Sequence, residues 1–210
     1  MVRVHAPGIA RVALTATLAL GVCAGGSDAL AAQVQGAHDR ALRAHRAREA
    51  HACTHTSLMP NSRDLALVRA ATLCLVNRER TLRGERPLRL NRRLRRAAQA
   101  HSVSMAVRDY FDHVGPGGQT PLARLRQVGY ISRSRSSYEV GENIAWGTGR
   151  LATPRAIVAA WMASPGHRAN ILDPRYRETG VGISPHPLSS LAHGQPGAIY
   201  TQDFGVVSGR

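Results

Sequence analysis

The chain has 210 residues, 43% of them hydrophobic, and a net charge of +15 in which every basic residue is arginine. That length suits one globular domain with excess at its ends, and the absence of lysine excludes Schiff-base and lysine-nucleophile chemistry. Arginine pairs with carboxylate and phosphate, so anionic envelope components are natural partners; nucleic acid is not, because aromatic stacking residues make up only 4% of the chain and no recognition motif is present.

Residues 1–32 read as a secretory signal. Arg3 and Arg11 supply the basic start, Val12 to Val22 the apolar stretch, and Ala29-Leu30-Ala31 the cleavage site. The apolar run is short for a membrane span. The expectation is therefore a secreted or envelope-associated protein with no transmembrane segment after signal removal. Val22, just before Cys23, is bulkier than the small residue that lipoprotein processing needs, which speaks against a lipid anchor. Two cysteines then remain, Cys53 and Cys74, and an even count in an exported chain predicts a disulfide.

From Gln33 to His55 the chain is rich in Ala, Arg and His without periodic large apolar side chains, which predicts a mobile arm over 33–60. His45, His51 and His55 are read as solvated linker residues. The folded domain is placed at 61–210. Asp64 is positioned to cap a first helix with Leu65, Val68, Thr72, Leu75 and Val76 inward, closing at Arg83-Gly84. Pro87 to Leu90 is a short extended link. Asn91 caps a second helix whose inward stripe is Leu94, Ala97, Ala98, His101 and Met105, with His101 a hydrogen-bonded core histidine. Thr120-Pro121 opens a third helix ending at Gly129, and Ser132 to Ser137 is a polar loop.

The stretch from Gly141 to Leu172 holds the chemistry. It carries Glu142, Asn143, Trp146, Trp161 and His167 around a helix started by Thr153 and Pro154, with Ile157, Val158 and Trp161 on one face. Ser164-Pro165 starts another helix and puts His167 in its first turn, where the dipole favours a neutral imidazole. Thr179 to Ser184 and Ile199 to Val207 read as strands. Helices lead and antiparallel strands follow, so the fold class is α+β, with helices flanking a sheet.

NRER, GERPLRLN, AAQAHSVSM, YFDHVGPGG, GENIAWG, WMASPGHRANIL and YTQDFG occur in this order between Leu65 and Val207. In combination they resemble the bacterial branch of the CAP superfamily (cysteine-rich secretory proteins, antigen 5 and pathogenesis-related 1 proteins; the SCP-like domain). The resemblance implies an α-β-α sandwich with a central antiparallel sheet and an extracytoplasmic location. It also implies a cleft lined by two histidines and two acidic residues that sometimes hold a divalent metal. His113 and Glu142 match two of those four positions. Ser164 stands where the family has its second glutamate and Ile199 where it has its other histidine. His167, of the SPGHR motif, would supply the second imidazole from a different backbone position.

His113, Glu142, His167 and Asn143 are thus the candidate cleft residues. Two neutral imidazoles and a carboxylate, His113, His167 and Glu142, would give zinc three ligands and leave a position for water. The same trio without metal could perform acid–base work. Two functions follow. One is a secreted binding module, a monomer, taking an apolar or sugar-containing ligand or an anionic envelope component. The alternative is a metal-dependent or acid–base hydrolase of peptide or cell-wall material. Ser102 and Ser104 lie on a helix with no adjacent base, so a serine hydrolase has little support.

Overall fold

A computed structural model of the chain describes residues 35–36, 52–131 and 137–208. The signal segment at 1–32, most of the 33–60 arm and residues 132–136 of the Arg/Ser-rich loop lie outside the described residues. The compact unit begins at Cys53, ahead of the boundary at 61 read from composition. Small polar residues hide its start in the sequence, but three tethers hold it. Cys53 and Cys74 are bridged. Cys53, Leu58 and Met59 pack against the main core. Arg155 N–H donates to the Thr56 carbonyl at 2.9 Å.

Helix α1 (Leu65–Thr81) buries Val68, Ala71, Thr72, Leu75 and Val76. Its start is organised by Asn61 instead of Asp64: Asn61 Oδ1 accepts from the amides of Arg63 and Asp64, and Asp64 makes no side-chain cap. The extended link contributes a two-residue strand, β1 (Arg89–Leu90). Asn91 caps α2 (Arg92–Arg108) through the amides of Arg93 and Leu94, and Thr120 caps α3 (Pro121–Gln127) through Ala123. Strand β2 (Ser137–Thr148) leads through a short 3₁₀ turn into α4 (Pro154–Ala163) and α5 (Pro165–Leu172). Strand β3 (Glu178–Ser184), a short helix α6 (Ser189–Ala192) and β4 (Gly197–Ser208) complete the unit.

The four strands lie in the order β1-β3-β4-β2, with β2–β4 and β3–β4 antiparallel and β1–β3 parallel. Side chains alternate across such a sheet, and the two faces receive different helices. Tyr200 and Phe204 of β4 join Trp161, Val158, Val76 and Ile171 under α1, α4 and α5. Ile199 of β4 and Ile144 of β2 meet Met105 of α2 on the other face. Helix α2 sits close on that face because Gly180 and Gly182 have no Cβ; one added there would overlap the backbone at Leu94–Arg95 and Ala98–Gln99. Gln99 stitches the contact, its side chain exchanging two hydrogen bonds with the Ile183 backbone. The result is the expected α-β-α sandwich.

Candidate functional site

Glu142 reads in the sequence as part of a Gly-flanked loop. Instead it lies inside β2, which pairs with β4 over its whole length and sets Glu142 opposite Asp203. Glycines weaken a strand's intrinsic preference, but an uninterrupted ladder to β4 overrides it. Alternation then separates two neighbours that look like one motif. Glu142 shares the α2 face with Ile144, while Asn143 turns to the other face, where its Nδ2 donates to the His167 carbonyl at 3.1 Å. Asn170 Nδ2 donates to Asn143 Oδ1 at 2.9 Å. Asn143 therefore braces the start of α5 and does not line the cleft beside Glu142.

Both oxygens of the Glu142 carboxylate are engaged. Oε1 is 2.8 Å from His113 Nδ1, and Oε2 accepts from an Arg124 Nη at 2.7 Å. His101 Nε2 lies 3.9 Å from Oε1. Arg124, only 3% exposed, also donates to the carbonyls of Gln119 and His113. One guanidinium thereby pins the loop between α2 and α3 onto the sheet and presents His113 to Glu142. Burial alone would raise the Glu142 pKa, but the His113 hydrogen bond and the Arg124 charge outweigh it and hold the carboxyl below its ordinary range.

The fifth member is Asp203, which sequence reasoning missed. It is buried, faces Glu142 across the ladder, and has no hydrogen-bond donor for either oxygen among the described residues. Burial and then the Glu142 charge raise its pKa well above the ordinary value. Two adjacent buried carboxyls do not both ionise readily, so the pair favours a proton on Asp203 beside the ionised Glu142. Arg124 was missed as well. A carboxylate inside an expected strand was the available signal for Asp203; nothing in PLARLRQ distinguishes Arg124 from its exposed neighbour Arg126.

The histidines divide by environment. His101 is the core histidine expected: its Nε2 donates to the Asp112 carbonyl at 2.9 Å, and burial lowers its pKa. His113 is half exposed, and its hydrogen bond to Glu142 raises its pKa. His167 is lowered, first by burial and then by the charge of His113, so the two rings lie within electrostatic reach. No hydrogen bond joins His167 to His113 or Glu142 among the described residues. A cavity of about 340 Å³ opens beside the site, lined by His113 and Glu142 with Thr120, Pro121, Leu122, Leu125, Val140 and Gly141. His167 and Asn143 are not among its walls. The structure thus brings His113 and Glu142 to one cavity and leaves the other two candidates beside it.

The zinc set read from the sequence does not fit. Among the described residues no group of three His, Cys, Asp or Glu side chains could hold a metal ion. The donor chemistry gives the reason: Arg124 already supplies the positive charge at Glu142, and His113 turns its Nδ1 to the same carboxylate. The two family positions that differ are also inert. Ile199 is a fully buried core residue, and Ser164 occupies the turn between α4 and α5. Ser102 Oγ donates to Thr201 Oγ1 at 2.8 Å, and Ser104 Oγ accepts from Tyr110, so neither serine is paired with a base.

A model of the cysteine-rich secretory protein family matches residues 73–204. The uncharacterized protein YkwD of Bacillus subtilis is 37% identical over 130 residues, covering 62% of this chain but 44% of YkwD. This chain therefore spans less than half the length of that relative. An extracellular, SCP-domain protein from Bacillus anthracis aligns with a TM-score of 0.54 at 23% identity, over 69% of this chain and 43% of its own. An outer surface protein of Borrelia burgdorferi aligns at 0.53 and 16% identity, over 71% of this chain and 96% of its own. At those identities the two structures speak for the fold alone. No helix among the described residues is long and apolar enough to cross a membrane. Motif order, fold and family model agree, and the chain belongs to the cysteine-rich secretory protein family, in its bacterial CAP branch.

Proposed function

We propose that this domain acts outside the cytoplasm as a ligand-binding module, with the cavity beside His113 and Glu142 as its pocket. The observation that carries the reading is the full engagement of Glu142 next to an open cavity. A carboxylate held by a buried guanidinium and an imidazole is a poor general base, because its pKa is depressed and its lone pairs are occupied. The same network is well suited to hold a rigid polar end on a pocket. Of the remaining walls, Pro121, Leu122, Leu125 and Val140 are apolar. A ligand with an apolar face and a hydrogen-bonding end fits that lining, which is the chemistry of an apolar or sugar-containing envelope component. The hydrolase reading lacks a base-paired serine nucleophile among the described residues.

The test is co-sedimentation of the purified protein with an insoluble cell-envelope fraction. About 0.5 M salt suppresses binding due only to the +15 charge. Leu122→Arg sets a charge in the pocket wall at a partly exposed position, so the fold should survive. Pelleting should fall roughly tenfold, the effect of losing an anchoring contact. Equal pelleting of variant and wild type at unchanged thermal stability would reject this pocket as the binding site.

A further inference from the structure

The run NRRLRR at the start of α2 divides its arginines between two neighbours. Arg93 donates to the Gly129 carbonyl at 2.8 Å and Arg96 to the Val128 carbonyl at 2.9 Å, so this pair closes the end of α3. Arg92 and Arg95, one helical turn apart, project elsewhere and line a second cavity of about 330 Å³ together with Arg69 of α1. Among the described residues none of these three has a carboxylate or carbonyl partner, whereas Arg80, Arg124 and Arg175 all do. The rest of the cavity is apolar, with Leu73, Leu90 and Val181 in its walls. Leu90 is 56% exposed, an apolar side chain at a site ringed by cations. Burial and the nearby Arg95 charge both press on the half-buried Arg69 guanidinium, and a bound anion would relieve the second.

We propose that this cavity binds a phosphate group carried on a short apolar chain, with Arg69, Arg92 and Arg95 on the phosphate and Leu73, Leu90 and Val181 around the chain. Three guanidinium groups decide the anion. A carboxylate is satisfied by one arginine fork, whereas a phosphate offers enough oxygens and charge for several. The cavity volume limits the rest: at about 30 Å³ for a water-sized group, it holds roughly eleven non-hydrogen atoms. That is the size of hexyl phosphate, and also of a phospholipid's phosphate with the first part of its chains. The site shares no lining residue with the His113 cavity, so the two proposals stand or fall separately.

The experiment is calorimetric titration of the purified full-length chain with hexyl phosphate and with inorganic phosphate. The site predicts one-to-one binding of hexyl phosphate, tighter than inorganic phosphate by about tenfold or more. Arg69→Gln with Arg95→Gln should remove that binding, while Arg108→Gln with Arg150→Gln, which discards as much charge from exposed positions elsewhere, should leave it unchanged. Ala70→Trp, at an exposed wall position, fills the cavity and should reduce hexyl phosphate to the affinity of inorganic phosphate. A parallel arm uses phosphatidylcholine vesicles with and without phosphatidylglycerol. Pelleting that requires phosphatidylglycerol and is lost with Arg69 and Arg95 identifies a lipid head group as the source. Hexyl phosphate binding without vesicle binding identifies a soluble phosphate ester. Hexyl phosphate binding no tighter than inorganic phosphate would overturn the proposal. So would binding that survives the Arg69/Arg95 change, or an equal loss in the control pair.

Discussion

Arg124→Met removes the cation from the buried network and leaves Glu142 in place. In the native domain Arg124 is 3% exposed and 2.7 Å from Glu142. Breaking such a pair from one side costs about 3–5 kcal/mol, because the surviving charge stays buried. The Gln119 and His113 carbonyls lose their donor too, which argues for the upper half of that range. At about 2–4 °C per kcal/mol for a domain of this size, the melting temperature should fall by roughly 8–20 °C. The pH dependence separates this cause from simple loss of packing. In the wild type Glu142 titrates below its unfolded value, so its contribution is present above about pH 4.3 and lost as pH falls through the folded pKa. Without Arg124, burial dominates and favours protonated Glu142, so the deficit should be largest near pH 8 and shrink toward pH 5. Urea unfolding followed by circular dichroism at both pH values measures it. Adding Glu142→Gln to Arg124→Met should recover part of the loss, since no buried charge remains. A deficit independent of pH, together with additive effects of the two substitutions, would refute a charge-based role for Arg124.

Four further outcomes are expected. Asp203→Asn should gain stability relative to wild type as pH rises from 4 to 8, because the native aspartate must hold a proton that the unfolded chain releases above about pH 3.9; a flat difference across that range in urea unfolding would contradict its protonation. Trp161→Ala, at 1% exposure with its Nε1 donating to the Ile144 carbonyl, should cost about 3–5 kcal/mol in the same assay, and unchanged stability would contradict its core placement. Cys74→Ser opens a bridge spanning 21 residues and should cost about 3 kcal/mol; thiol titration of denatured, unreduced wild type should find neither Cys53 nor Cys74 free. Gly182→Ala places a methyl against the α2 backbone and should cost about 1–3 kcal/mol or more, with a lowered thermal midpoint as the readout.

The helices were legible because their signals are local. Asn91, Thr120 and Thr153 each cap where a polar residue precedes an apolar period, and Ile157, Val158 and Trp161 are buried as their spacing requires. Asp64 failed as a cap because its carboxylate turns back to accept from Asn61 Nδ2 at 2.6 Å and leaves the first amides of the helix. Strand β2 was hidden because its glycines and polar residues imitate a loop, and only the long-range ladder to β4 makes it a strand. The site follows the same division. His113 and Glu142 were found from motifs, but their meeting is braced by Arg124, which comes from a helix with no local mark of function. Asn143 shows the converse: adjacent to Glu142 in sequence, it faces the opposite side of the sheet.

Binding and turnover part most directly in one measurement: the soluble fragments released from an insoluble cell-envelope fraction by the purified protein, compared with His113→Ala. His113 is half exposed, so its removal spares the fold while stripping the pocket of its imidazole. Binding without turnover predicts that wild type is retained on the fraction, that His113→Ala is retained less, and that neither releases fragments above the protein-free control. Release of fragments by wild type that disappears in His113→Ala would contradict it and make the His113–Glu142 pair the centre of a hydrolase.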